Sequence, residues 1–169
     1  MSMPAIYSAL GRDEARNAAI FDDVLTALEA GRCPLILTER RDHVEALRGR
    51  FERFTRNLVV LHGGLKSGER RAAQAGLQAG RNEERLVLAT GRYLGEGFDD
   101  SRLDTLFLVM PVSWKGTLAQ YVGRLHRDHD AKREVIVYDY VDRAVPVLAR
   151  MAIKREKGYR SLGYVVDSR

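Results

Sequence analysis

The sequence predicts an α/β domain with a mainly parallel sheet of five or six strands flanked by helices, and three observations carry that prediction. Short, wholly apolar runs recur along the chain, as expected for strands buried on both faces. Segments with apolar residues three and four positions apart lie between those runs, the rhythm of helices that cross over a parallel sheet. Glycine-rich turns follow the apolar runs, which places the conformationally demanding backbone at one end of the strands.

Taken in order, residues 13–30 read as a helix, with Ile20, Val24 and Leu28 on one stripe, Phe21 and Leu25 beside it, and Gly31 placed to end it. Pro34–Thr38 is a buried strand, and the following helix carries Val44, Leu47, Phe51 and Phe54 on its apolar face. Leu58–Leu61 is the next strand, His62-Gly63-Gly64 is a tight exit, and 68–79 is an alanine-rich helix. Leu86–Thr90 and 103–109 are strands separated by a loop that holds Gly91, Gly95 and Gly97. A helix over 117–125, a strand over 135–140 and an amphipathic helix over 145–157, led by Pro146, complete the pattern. The 169 residues read as one domain, a fragment of a longer protein, with 158–169 as a C-terminal extension.

Composition excludes several function classes. The formal charge of +5, from 28 Lys and Arg against 23 Asp and Glu, favours a polyanionic partner without forming a basic tail. Cys33 is the one cysteine, so an internal disulfide is impossible and a zinc finger has no ligand set. No basic leader with an apolar core opens the chain, and its longest apolar run, 106–110, is too short to cross a bilayer. The expected setting is cytoplasmic, with no membrane and no metal ligands from this chain.

Two segments carry chemistry. In Gln120-Tyr121-Val122-Gly123-Arg124-Leu125-His126-Arg127, two arginines three residues apart share a helical face and suit bidentate grip of one phosphate. A solvated helix face is the alternative reading of the same spacing. In the loop after Leu86–Thr90, three glycines within seven residues imply backbone shaped for close approach to a ligand, against the alternative of a connecting loop capped by Asp99 or Asp100. The frame Gly63-x-x-x-x-Gly68 resembles a P-loop only in outline. Glu69 and Arg70 stand where the lysine and hydroxyl are required, and a carboxylate there would repel phosphates.

Gln-x-x-Gly-Arg-x-x-Arg resembles motif VI of superfamily-two helicases. Leu88-Ala89-Thr90 followed by Glu96-Gly97-Phe98-Asp99 resembles motif V, and Leu35-Ile36-Leu37-Thr38 with Glu39, Arg40 and His43 behind it resembles motif IV. The three stand in the family's order over residues 34–140, and residues 6–31 fit a lead-in helix. The resemblance implies the second, C-terminal RecA-like domain of such a helicase, a three-layer fold.

That resemblance implies roles for particular residues. Arg124 and Arg127 would be the arginine fingers, and Gly97, Asp99 and Gln120 would face ATP with its Mg²⁺, both bound mainly by an N-terminal RecA-like domain absent from these 169 residues. Thr90, Gly63, Lys66 and Arg70, with Arg71 beside them, would contact the phosphates of nucleic acid, DNA in preference to RNA. Motif V is one residue longer than its commonest form and resembles that of restriction-type enzymes. Gln120 and Tyr121 replace the His-Arg of the DEAD-box subgroup, and His126 and His129 receive no role. Trp114 reads as core or as a base-stacking ring. Glu39-Arg40-Arg41 reads as a helix start capped by Asp42 or as a strand-end contact. The alternative function is a non-catalytic nucleic-acid-binding or scaffold module of a restriction-type nuclease complex.

Overall fold

The computed structural model describes residues 2–78, 83–91, 100–127 and 134–168, the side chains of Thr117 and Arg127 excepted. Its elements are α1 (Met3–Gly11), α2 (Glu14–Glu29), β1 (Pro34–Thr38), α3 (Arg41–Phe51), β2 (Leu58–Leu61), α4 (Ser67–Leu77), β3 (Leu86–Thr90), β4 (Thr105–Leu108), α5 (Gly116–Arg127), β5 (Ile136–Asp139) and α6 (Pro146–Ser161). The strands form one sheet in the order β2-β3-β1-β4-β5, and each neighbouring pair is parallel.

Alternation along the strands builds two cores. Leu35 and Leu37 of β1 and Leu106 and Leu108 of β4 face α4, α5 and α6, where Leu118, Tyr121, Val122, Leu125 and Tyr159 cover them. Ile36 and Phe107 point the other way, against Ile20 and Val24 of α2 and Val44, Leu47 and Phe51 of α3. Helices on both faces give three layers, the arrangement that lets parallel strands be wholly apolar. The β1–α3–β2 crossover runs over one face. The β2–α4–β3 crossover returns over the other, and β4–α5–β5 moves away from β2 on that second face, so all three share one hand.

Local signals set the boundaries, and several differ from the sequence reading. The lead-in is two helices, because the Asp13 carboxylate accepts from Arg16 N at 3.1 Å and starts a new helix after α1. Gly31, at φ 77°, closes α2 as expected. The helix α3 ends at Phe51, so Phe54 leaves the apolar stripe and is 60% exposed. Asp42 lies in the first turn of α3 rather than at its cap; it accepts from its own neighbour, His43 N, at 2.9 Å. Trp114 packs on Gly158 and meets Tyr159 edge-on at 5.1 Å, which makes it part of the core. Residues 158–161 continue α6, and Leu162, Tyr164 and Val166 pack on the same core. Among the described residues no helix is long and apolar enough to cross a membrane.

Buried arginines tie the layers together. Arg16 of α2 donates to Val109 O at 2.9 Å and Tyr140 O at 3.2 Å and pairs with Asp142 at 2.7 Å, fixing the segments that follow β4 and β5. Arg155 of α6 is fully buried and forks onto Asp139 at 2.7 and 2.9 Å, with a third bond to Val112 O at 2.8 Å. Tyr159 donates to the same carboxylate at 2.8 Å, and burial followed by the charge of Asp139 raises its pKa. Removing one member of such a pair strands a charge in the core. Arg155→Ala is therefore expected to lower unfolding free energy by about 3–5 kcal/mol in urea denaturation. A loss under about 1 kcal/mol would show that the fork does not hold α6 in place.

Candidate nucleotide and nucleic-acid interface

Parallel strands deliver their carboxyl ends to one edge of the sheet, and the polar residues gather there. Thr38 and Thr90 are register partners at the ends of β1 and β3, and both are buried. The Thr38 hydroxyl lies 2.8 Å from His43 Nδ1, His43 Nε2 lies 2.9 Å from Asn17 Oδ1, and Asn17 Nδ2 donates to Gly11 O at 3.0 Å. Asn17 uses its amide nitrogen on Gly11, so its oxygen must accept from His43 Nε2. In the neutral imidazole, Nδ1 then accepts from Thr38. Burial agrees with that state, because loss of hydration, followed by the charge of Arg16, lowers the His43 pKa from 6.5 to about 4.

Glu39 follows directly on β1, and its carboxylate lies against Gly91, the residue after β3. A Cβ on Gly91 would stand 2.6 Å from Glu39 Oε1, so a side chain there would push the carboxylate aside. Partial burial raises the carboxyl pKa above its ordinary value. Tyr7 of α1 donates to Pro111 O at 2.7 Å, and its phenol pKa is raised by burial first and by the Glu39 charge second. Two strand ends, α1 and the segment after β4 thus meet around one carboxylate.

On the β2 side, His62 is buried and accepts from Gly64 N at 3.0 Å through Nδ1, which shapes the turn containing Gly63. Lys66 precedes α4, and its backbone N–H donates to Glu69 Oε1 at 3.1 Å. Gly63, Lys66 and Arg70 are all exposed, so backbone and cations of this turn are open to a polyanion.

On the β4 side, the buried stripe Leu118, Tyr121, Val122 and Leu125 fixes the rotation of α5. That rotation puts Gln120 and Arg124 on the opposite face, at i and i+4. Gln120 is exposed, and Arg124 is half-buried with its guanidinium 5.3 Å from the centre of the Tyr121 ring. The Arg127 side chain, Gly97 and Asp99 lie outside the described residues. The glycine loop returns at Asp100, which pairs with the fully buried Arg85.

The expected site residues that the structure describes therefore form two groups, Thr90 with the 62–70 turn and Gln120 with Arg124. Sequence reasoning missed the Thr38–His43–Asn17 chain and the seat of Glu39 on Gly91. Asn17 did carry a signal, since it stands three residues before Ile20 on the apolar stripe of α2, where a polar residue must find a partner. Among the described residues no group of three or more His, Cys, Asp or Glu could hold a metal ion.

Comparison with known proteins places this geometry in context. Residues 17–129 match the helicase conserved C-terminal domain model, an interval that contains every site residue named above from Thr38 to Arg127. An uncharacterized protein, 108L, of Invertebrate iridescent virus 3 is 37% identical over 98 residues, covering 57% of this chain and 88% of that protein. The fold is similar to that of T4 UvsW, with a TM-score of 0.74 at 16% identity, covering 96% of this chain and 35% of UvsW. It is also similar to the C-terminal part of the Fun30 ATPase domain, with a TM-score of 0.62 at 13% identity over 90% of this chain. The chain spans 35% and 50% of these two solved structures.

The buried imidazole makes a pH prediction. Its folded pKa of about 4 lies below the unfolded value of 6.5, so the stabilisation is complete above 6.5 and is lost as pH falls toward 4. The loss amounts to about 3 kcal/mol by pH 4. In urea denaturation across that window, the wild-type protein should lose this much more stability than His43→Gln. Parallel curves for the two proteins would show that the imidazole is not held neutral.

Proposed function

Because this chain belongs to the helicase conserved C-terminal domain family, we propose that it is the second RecA-like domain of a superfamily-two helicase or translocase, supplying arginine fingers and nucleic-acid backbone contacts. The observation that supports this reading is the face of α5 opposite its apolar stripe, where Gln120 and Arg124 stand one turn apart.

Guanidinium groups keep their charge at any physiological pH and pair bidentately with phosphate oxygens. On this reading Arg124 and Arg127 neutralise charge on a transferred phosphoryl group, Gln120 donates a hydrogen bond beside them, and Gly97 and Asp99 border the nucleotide. ATP, when bound, supplies the phosphoryl group whose transfer to water releases the driving free energy. The sequence has no G-x-x-x-x-G-K-[ST] segment, so the phosphate cradle and the ligands of Mg²⁺ belong to an N-terminal RecA-like partner.

The other group of residues grips the strand. Thr90 ends β3 beside the glycine loop, and Gly63, Lys66 and Arg70 offer backbone N–H groups and cations to successive phosphates. DNA is the preferred polymer, following the resemblance of motif V to that of restriction-type enzymes, and the setting is cytoplasmic. Opening and closing against the partner domain would shift this grip along one strand.

Two measurements test the reading. The 169-residue chain alone should show no steady-state ATP hydrolysis above background. Joined to a RecA-like domain that carries a P-loop, Arg124→Ala and Arg127→Ala should each lower nucleic-acid-stimulated hydrolysis by a factor on the order of 10³. Turnover by the chain alone, or full activity in both variants, would contradict the assignment.

A further inference from the structure

The helix α5 has a third flank. Leu118, Tyr121, Val122 and Leu125 meet the core and Gln120 and Arg124 face away from it, which leaves Gly123 and His126 together on the remaining side. The chain that leaves α6 covers that side. Gly163, at φ 98°, donates its N–H to Arg160 O at 3.0 Å, and Tyr164 N–H donates to Tyr159 O at 3.0 Å. This is a reversal that glycine permits, and it turns the chain back onto α5.

Each residue of the reversal meets the third flank. Leu162 Cδ2 lies 3.5 Å from where a Cβ on Gly123 would stand, and a Cβ on Gly163 would lie 3.0 Å from the His126 ring. The Tyr164 ring is centred 4.8 Å from the same imidazole, and its hydroxyl donates to Val122 O at 3.0 Å. Burial raises that phenol pKa to about 12, so the hydroxyl keeps its proton at physiological pH. Leu162, Tyr164 and Val166 also pack on the core beneath α5. A helix held by the sheet alone could still roll about its axis. Contacts on a second flank oppose that roll, and the roll decides where Arg124 points.

We propose that residues 162–166 are a strap that sets the position of Arg124, with Tyr164 as its positioning residue. The inference rests on the reading of Arg124 as a contact to the transferred phosphoryl group. The strap lies beyond the matched family interval, 17–129, and it makes the segment read from sequence as an extension part of the site's support. A segment that only covered the core would affect stability and leave no specific mark on the step at Arg124.

The test uses the chain joined to a RecA-like domain that carries a P-loop, with hydrolysis measured against ATP at saturating single strand. Tyr164→Ala should lower kcat about tenfold, within the ~10² that a displacement of about 1 Å costs, and leave KM for ATP and affinity for the strand at their wild-type values. In the Arg124→Ala background, Tyr164→Ala should lower kcat no further. Leu162→Ala, which removes the contact on Gly123, should show the same pattern at about threefold, and it decides the question if Tyr164→Ala does not fold. Wild-type kcat in these variants, a parallel fall in kcat and strand affinity, or a full further loss in the Arg124→Ala background would overturn the proposal while the reading of Arg124 stands. Undiminished hydrolysis in Arg124→Ala itself would overturn that reading and the proposal with it.

Discussion

Parallel strands impose the constraint on which everything else depends: all five chain exits leave the sheet at the same edge. The order β2-β3-β1-β4-β5 puts β1 in the centre, with its connection running toward β2 while that of β4 runs toward β5. Adjacent strands whose connections diverge leave a crevice beyond their carboxyl ends. Thr38 and Glu39 stand at that point, and Tyr7 closes its side by bonding Pro111 O at 2.7 Å. The polar chain from Thr38 through His43 and Asn17 to Gly11 lets this crevice carry hydrogen-bonding groups without leaving any of them unsatisfied below it.

The chain's excess of arginine divides by burial. Arg16, Arg85 and Arg155 have their guanidinium groups bonded inside the fold, where each joins a helix or strand end to a carbonyl and a carboxylate. Arg41, Lys66 and Arg70 stand outside, around the β2 turn. Net charge therefore overstates the cations available to a polyanion, and the position of the exposed ones matters more than their number.

Much of the fold was legible because its signals are local. Wholly apolar runs at Pro34–Thr38 and Leu86–Thr90 became central parallel strands. The three- and four-residue spacing of Val44, Leu47 and Phe51 became α3, while Phe54 continued the spacing past a helix that had already ended. The motif residues were legible for a different reason, since their order along the chain resembles a known family. What the sequence hid depends on tertiary placement. Nothing local distinguishes Arg155, which is buried on Asp139, from Arg150, which is exposed one turn and a half earlier on α6. The pairing of Glu39 with Gly91 joins residues of different strands and needs the parallel register of β1 and β3. Arg40 and Arg41 are adjacent and chemically identical, and only the direction of each side chain separates Arg40, which forks onto Asp42, from Arg41, which lies on Gly64.

The central claim is that this domain completes a nucleotide site held mainly by another RecA-like domain. Its most direct test is association between the two domains measured by analytical ultracentrifugation, without nucleotide and with ADP and a metal-fluoride mimic of the transferred phosphoryl group. The account predicts that the mimic tightens association and that Arg124→Ala with Arg127→Ala abolishes the tightening. Association that is indifferent to the mimic, or tightening that survives loss of both arginines, would contradict it.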